Sequence, residues 1–145
     1  MRLLLAICTV LAGLTATAFA NLYDARFQGH TDNLRYDVRM RFKPAPPMPH
    51  YPDAPRYWTV FDTLSVIMNG REISAPKAAL DTLFWPCPSG APYPGPDKTL
   101  RIPISGGSGE YSYEAILVFS QSRFIAIERR DHASTKWKTT KYPSP

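Results

Sequence analysis

Leu34-Arg35-Tyr36-Asp37-Val38-Arg39-Met40-Arg41-Phe42 alternates apolar and polar residues over nine positions. A period of two is the period of a β-strand, in which successive side chains point to opposite faces. Leu34, Tyr36, Val38, Met40 and Phe42 therefore share a buried face, and Arg35, Asp37, Arg39 and Arg41 share a wet one. The rest of the chain has to fold around such strands.

Weaker versions of the pattern recur. Residues 22–28 alternate less cleanly, and Gly29-His30-Thr31-Asp32-Asn33 reads as the turn that follows them. Residues 58–68 form a long strand in which Trp58, Val60, Leu64, Val66 and Met68 share a parity with Asp62. Either that strand bulges at Asp62 or a carboxylate faces the core. Asn69-Gly70 is the residue pair of a type I′ hairpin turn, which pairs residues 64–68 with 71–74. Residues 99–105, 111–119 and 124–127 are further strands, and 115–119 and 124–127 are apolar on both parities. That double burial suits a central hairpin. Residues 135–142 form a last strand or a tail. Pro76, Ala78, Ala79, Leu80 and Leu83 allow one short helix.

Eleven of the fifteen prolines fall in two blocks, residues 44–57 and 86–97. Proline lacks a ladder donor and favours extended loop conformations, so both blocks read as rigid loops. Tyr51, Tyr57, Trp58, Trp85 and Tyr93 lie in or beside them and are expected to cap the core. The expected fold is all-β: a small antiparallel sandwich or barrel of about eight short strands with at most one short helix.

The first twenty residues carry a different signal. Arg2 precedes an apolar stretch that runs from Leu3 to Leu14, and Ala18-Phe19-Ala20 has the small-x-small pattern of a signal-peptidase site. Residues 1–20 are expected to be removed, leaving residues 21–145 as a single exported β domain, periplasmic or secreted. No later apolar run approaches the length of a membrane span.

Export bears on cysteine. Cys8 leaves with the leader, and Cys87 stays as a single thiol in an oxidising space. An inert thiol packed beside Trp85 is the favoured reading; a disulfide-linked homo-oligomer and a reactive nucleophile are the alternatives. No cofactor or metal site is expected. His30, His50 and His132 lack the ligand spacing of a zinc or calcium loop. Asp62 is the one acidic residue that shares a face with apolar neighbours. A small hydrolase or thiol enzyme using Asp62 or Cys87 is therefore a minor alternative, as is a structural subunit of an envelope assembly.

Charge supplies the binding hypothesis. The full chain carries a net charge of +5. Within residues 129–141, Arg129, Arg130, Lys136, Lys138 and Lys141 face one acid, Asp131, and Trp137 lies among them. The other residues of the processed chain balance at eleven cations and eleven acids. Arg129, Arg130, Lys136, Trp137, Lys138 and Lys141 are thus the candidate binding residues, extended by Arg35, Arg39 and Arg41 if their strand is a neighbour. They suit an anionic envelope component or an acidic protein. Nucleic acid is a poor match outside the cytoplasm. The expected function is a non-enzymatic binding domain.

Overall fold

The computed structural model describes residues 4–10, 14–20, 24–45 and 59–143, the first two stretches as backbone alone. Most of the proline block at 44–57, with Tyr51, Tyr57, Trp58 and His50, lies outside the described residues.

Two antiparallel sheets face each other in a sandwich; the sheet does not close into a barrel. The first sheet contains β1 (Leu4–Val10), β2 (Leu14–Ala20), β3 (Asp24–Thr31), β4 (Leu34–Pro44), β5 (Thr59–Met68) and β6 (Arg71–Ile73), in that spatial order. The second contains β7 (Cys87–Pro88), β8 (Tyr93–Pro94), β9 (Leu100–Gly106), β10 (Tyr113–Phe119), β11 (Phe124–Asp131) and β12 (Lys138–Lys141). Its order is β12-β11-β10-β9-β7, and β8 also pairs with β9. The first sheet is a meander, as are β9–β12 of the second, and α1 (Lys77–Leu80) lies on the connection between the sheets. The strands exceed the expected eight because the N-terminal residues expected to be a leader form β1 and β2, with β2 paired to β3, and because the second proline block forms the two-residue strands β7 and β8.

One core joins the sheets. Val38 and Val66 from the first meet Leu100, Ile102, Ile104, Leu117 and Phe119 from the second, all fully buried. Each such side chain contributes roughly 1.5–3 kcal/mol by leaving water. The alternation of β4 is realised: Leu34, Tyr36, Val38, Met40 and Phe42 are all buried. The doubly apolar strands β10 and β11 pair as expected, with Leu117 opposite Ile127. Asn69 and Gly70 take positive φ values of 49° and 80°, as a type I′ turn requires.

Two expectations are corrected. The turn after β3 is only Asp32-Asn33, because the strand runs on through Gly29 and His30 to Thr31. Gly29 lies opposite Tyr36, and a Cβ at Gly29 would collide with the Tyr36 ring. The glycine thus serves close packing, not a turn. The second sheet repeats the device with Gly106 opposite Tyr113. At Asp62 the bulge wins. Arg41 pairs with Thr63 and Phe42 with Phe61, so Asp62 is skipped, turns to solvent and meets Lys43 at 3.7 Å.

The two tyrosines also explain how a donor-poor proline segment is held between the sheets. Tyr36 donates to the carbonyl of Pro92 at 3.0 Å, Tyr113 to that of Phe84 at 2.9 Å, and Thr59 to that of Pro86 at 3.3 Å. The segment's carbonyls are satisfied by hydroxyls in place of ladder amides. Burial at these positions pushes both tyrosine hydroxyls above their ordinary pKa, so they remain donors across the physiological range.

Candidate functional site

The C-terminal basic segment is built on β11, a turn and β12. β11 ends at Asp131. The chain reverses at His132-Ala133, where the His132 amide donates to the Ser112 carbonyl at 2.9 Å. The Ser134 amide donates to the Asp131 carbonyl at 2.8 Å, and the Ser134 hydroxyl accepts from the Lys136 amide at 3.1 Å. β12 then returns along β11, with Lys138 opposite Arg129 and Lys141 opposite Ala126.

Register separates the six candidate residues into two groups. Arg129 shares a face with Ala115 and lies toward the core. Its guanidinium sits 4.2 Å from the Tyr113 ring centroid and 5.3 Å from that of Phe84. It also pairs with Asp131 at 2.8 Å and donates to the Thr82 carbonyl at 3.3 Å. These contacts bind β11 to the inter-sheet connection. Arg130 lies on the outer face, ion-paired to Glu114 directly opposite it on β10 and stacked 5.2 Å from the Trp137 ring centroid. Both arginines are engaged within the fold.

Lys136, Lys138 and Lys141 are different. All three are exposed, and none has an ion-pair partner among the described residues. Trp137 beside them is 42% exposed, which is unusual for so large an apolar side chain. Every residue of β12 is exposed, and β12 ends its sheet.

A cleft of about 610 Å³ opens beside the turn, lined by Trp85, Cys87, Ser105, Glu114, Arg130 and His132 among others. Cys87, Ser105, Glu114 and Arg130 form one row across β7, β9, β10 and β11, each directly opposite the next. This corrects the expectation of a packed thiol. Cys87 is free and exposed because its place opposite Ser105 turns it outward. Partial burial of the sulfur pushes its pKa up, which keeps the thiol protonated and works against a nucleophile. No hydrogen bond joins Cys87 to His132 among the described residues.

The other candidates are dispersed. Arg35, Arg39 and Arg41 are on β4, in the first sheet, and do not extend the basic segment of the second. Their face is largely neutralised. Asp37 accepts from Arg26 at 2.7 and 3.1 Å, from Gln28 at 3.1 Å and from Arg39 at 3.3 Å, and Arg41 meets Asp24 at 3.1 Å. These donors, Arg26 foremost, hold the Asp37 carboxyl down at about 2. Asp62 is exposed beside Lys43, and no second carboxylate is ion-paired or hydrogen-bonded with it. Among the described residues no group of three or more His, Cys, Asp or Glu is gathered as a metal ion would require. No helix among them is long and apolar enough to cross a membrane.

Glu114 is the residue that sequence reasoning passed over. It decides the state of Arg130, yet the two are sixteen positions apart and meet only through the register of the β10–β11 hairpin. In comparisons with protein-family models, curated proteins and solved structures, the chain matches none.

Proposed function

We propose that the processed chain is an exported, non-enzymatic binding domain that holds an anionic envelope or extracellular component along its C-terminal basic edge. The observation that carries this reading is the contrast among the cations. Arg26, Arg39, Arg41, Arg101, Arg129 and Arg130 each meet a carboxylate. Arg35, Arg71, Lys98 and Arg123 also meet none among the described residues, but only Lys136, Lys138 and Lys141 lack a carboxylate within one short exposed segment that also holds an exposed Trp137. Unpaired cations on an exposed edge retain their full field for a ligand, and an adjacent indole adds apolar contact area at low entropic cost.

The reading also accords with the leader-like start of the chain. Export places the basic edge among envelope polymers and secreted proteins. The test uses the exported, processed protein against three defined anions: an oligoglutamate peptide, a sulfated polysaccharide and phosphatidylglycerol vesicles. Binding to at least one of them at low salt, weakening as salt rises, supports the reading. Absence of binding to all three, or binding indifferent to charge reversal at Lys136, Lys138 and Lys141, overturns it.

A further inference from the structure

We infer that the ligand of the basic edge is an acidic polypeptide segment in extended conformation, added to the second sheet as a strand beside β12. The inference rests on the binding reading above and narrows it to one chemistry.

The argument begins with the hydrogen bonds of β12. The Tyr142 amide donates to the Ile125 carbonyl at 2.8 Å, and the same register pairs Thr140 with Ile127 and Lys138 with Arg129. In an antiparallel ladder, alternate residues of a strand direct both backbone groups to the same neighbour. Lys138, Thr140 and Tyr142 therefore face β11. Thr139 and Lys141 direct their amides and carbonyls away from it, into the open edge. Among the described residues nothing pairs there, since β12 ends the sheet.

An open edge of this kind accepts another strand through main-chain hydrogen bonds, and side chains decide which strand. Here the lysines decide. Addition of a second β12 would bring lysines of one copy beside lysines of the other, which is unfavourable. A strand with acidic residues at alternate positions reverses that sign. Lys141 lies opposite Ala126 on the outer face, and Lys138 lies opposite Arg129 on the inner one, so cations flank the open edge on both sides of the sheet. The same lysines reject self-association and admit an acidic partner. A polysaccharide or a lipid headgroup would meet the lysines but does not carry the alternating donors and acceptors at strand spacing that the outward groups of Thr139 and Lys141 match.

The experiment compares the processed protein's binding of an eight-residue peptide of alternating glutamate and threonine, the same peptide methylated on every backbone nitrogen so that neither edge can donate, and a sulfated polysaccharide. Hydrogen exchange is followed at Thr139 and Lys141. The unmodified peptide is expected to bind and to slow exchange at both amides by about tenfold or more. Backbone methylation is expected to abolish binding, although it leaves the peptide's charge intact. Thr139→Pro removes one outward donor that the native ladder does not use, and is expected to weaken peptide binding about tenfold without changing polysaccharide binding.

Equal binding of methylated and unmodified peptide overturns the strand-addition inference and leaves the anion-binding reading standing. Polysaccharide binding without peptide binding does the same. Failure of every probe to bind overturns both.

Discussion

β4 and β12 carry similar charge on opposite sheets, and the fold treats them differently. β4 sets Arg35, Arg39, Arg41 and Lys43 on its outward face, more cations than β12 has. Arg35, opposite His30, meets no carboxylate among the described residues, but Arg39, Arg41 and Lys43 meet Asp37, Asp24 and Asp62, and Asp37 also holds Arg26 from the strand beside it. β12 lies at the end of its sheet with one neighbour, and opposite its lysines β11 offers Arg129 and Ala126, no carboxylate. The availability of a cation is thus set by the strand next to it, not by the composition of its own. A charged face in the middle of a sheet can be neutralised from both sides, whereas an edge has one side to draw on.

The largest effect that separates the two regions is on binding. Reversing Lys136, Lys138 and Lys141 to Glu together is expected to weaken anion binding about 100-fold at low salt. The same variant should leave stability within about 0.5 kcal/mol of the native protein, as exposed unpaired charges contribute little. A melt that shifts as strongly as the binding would mean the lysines belong to the fold, as Arg39 and Arg41 do.

Asp37→Ala probes the other side. It is expected to destabilise the protein by about 1–2 kcal/mol, because the carboxylate accepts from three side chains. It should also release Arg26 and Arg39, so the first sheet is expected to gain weak anion binding relative to the native protein. Stability without such a loss would contradict the assignment of these arginines to structure.

pH gives a smaller contrast. The folded-state pKa of Asp37 is about 2, below its ordinary 3.8. Its contribution is therefore fully present above about pH 4 and is lost as pH falls through 2. Thermal melts between pH 5 and 2 should show a steeper decline for the native protein than for Asp37→Asn. Parallel declines would remove Asp37 as the anchor of that face. The smallest effect is expected from Glu114→Gln, which frees Arg130 beside Trp137 and should raise anion affinity about twofold, within the range of one exposed ion pair.

Strand identity was legible where local pattern alone decides it. The alternation of residues 34–42, the Asn69-Gly70 turn and the doubly apolar hairpin around Leu117 and Ile127 all follow from side-chain period and turn chemistry. What escaped the sequence depends on pairing across the sheet. Gly29 looked like a turn residue because its reason, the Tyr36 ring folded over it, is seven positions away. Cys87 looked buried, but its exposure follows from a two-residue strand placed opposite Ser105. The six-residue basic cluster was visible as composition. Its division into engaged arginines and unpaired lysines was not, since that needs Glu114 opposite Arg130 and Ala126 opposite Lys141. Asp62 is an intermediate case: parity flagged an irregularity, and only the register shows that a bulge resolves it.

The central claim is that the unpaired lysines of the C-terminal edge, and not the more numerous cations of β4, form the binding surface. The most direct test is a backbone amide NMR titration of residues 21–145 with oligoglutamate at low salt. The account predicts shift changes concentrated in residues 134–142, with residues 35–43 unmoved. Changes centred on β4, or spread evenly over both sheets, would contradict it.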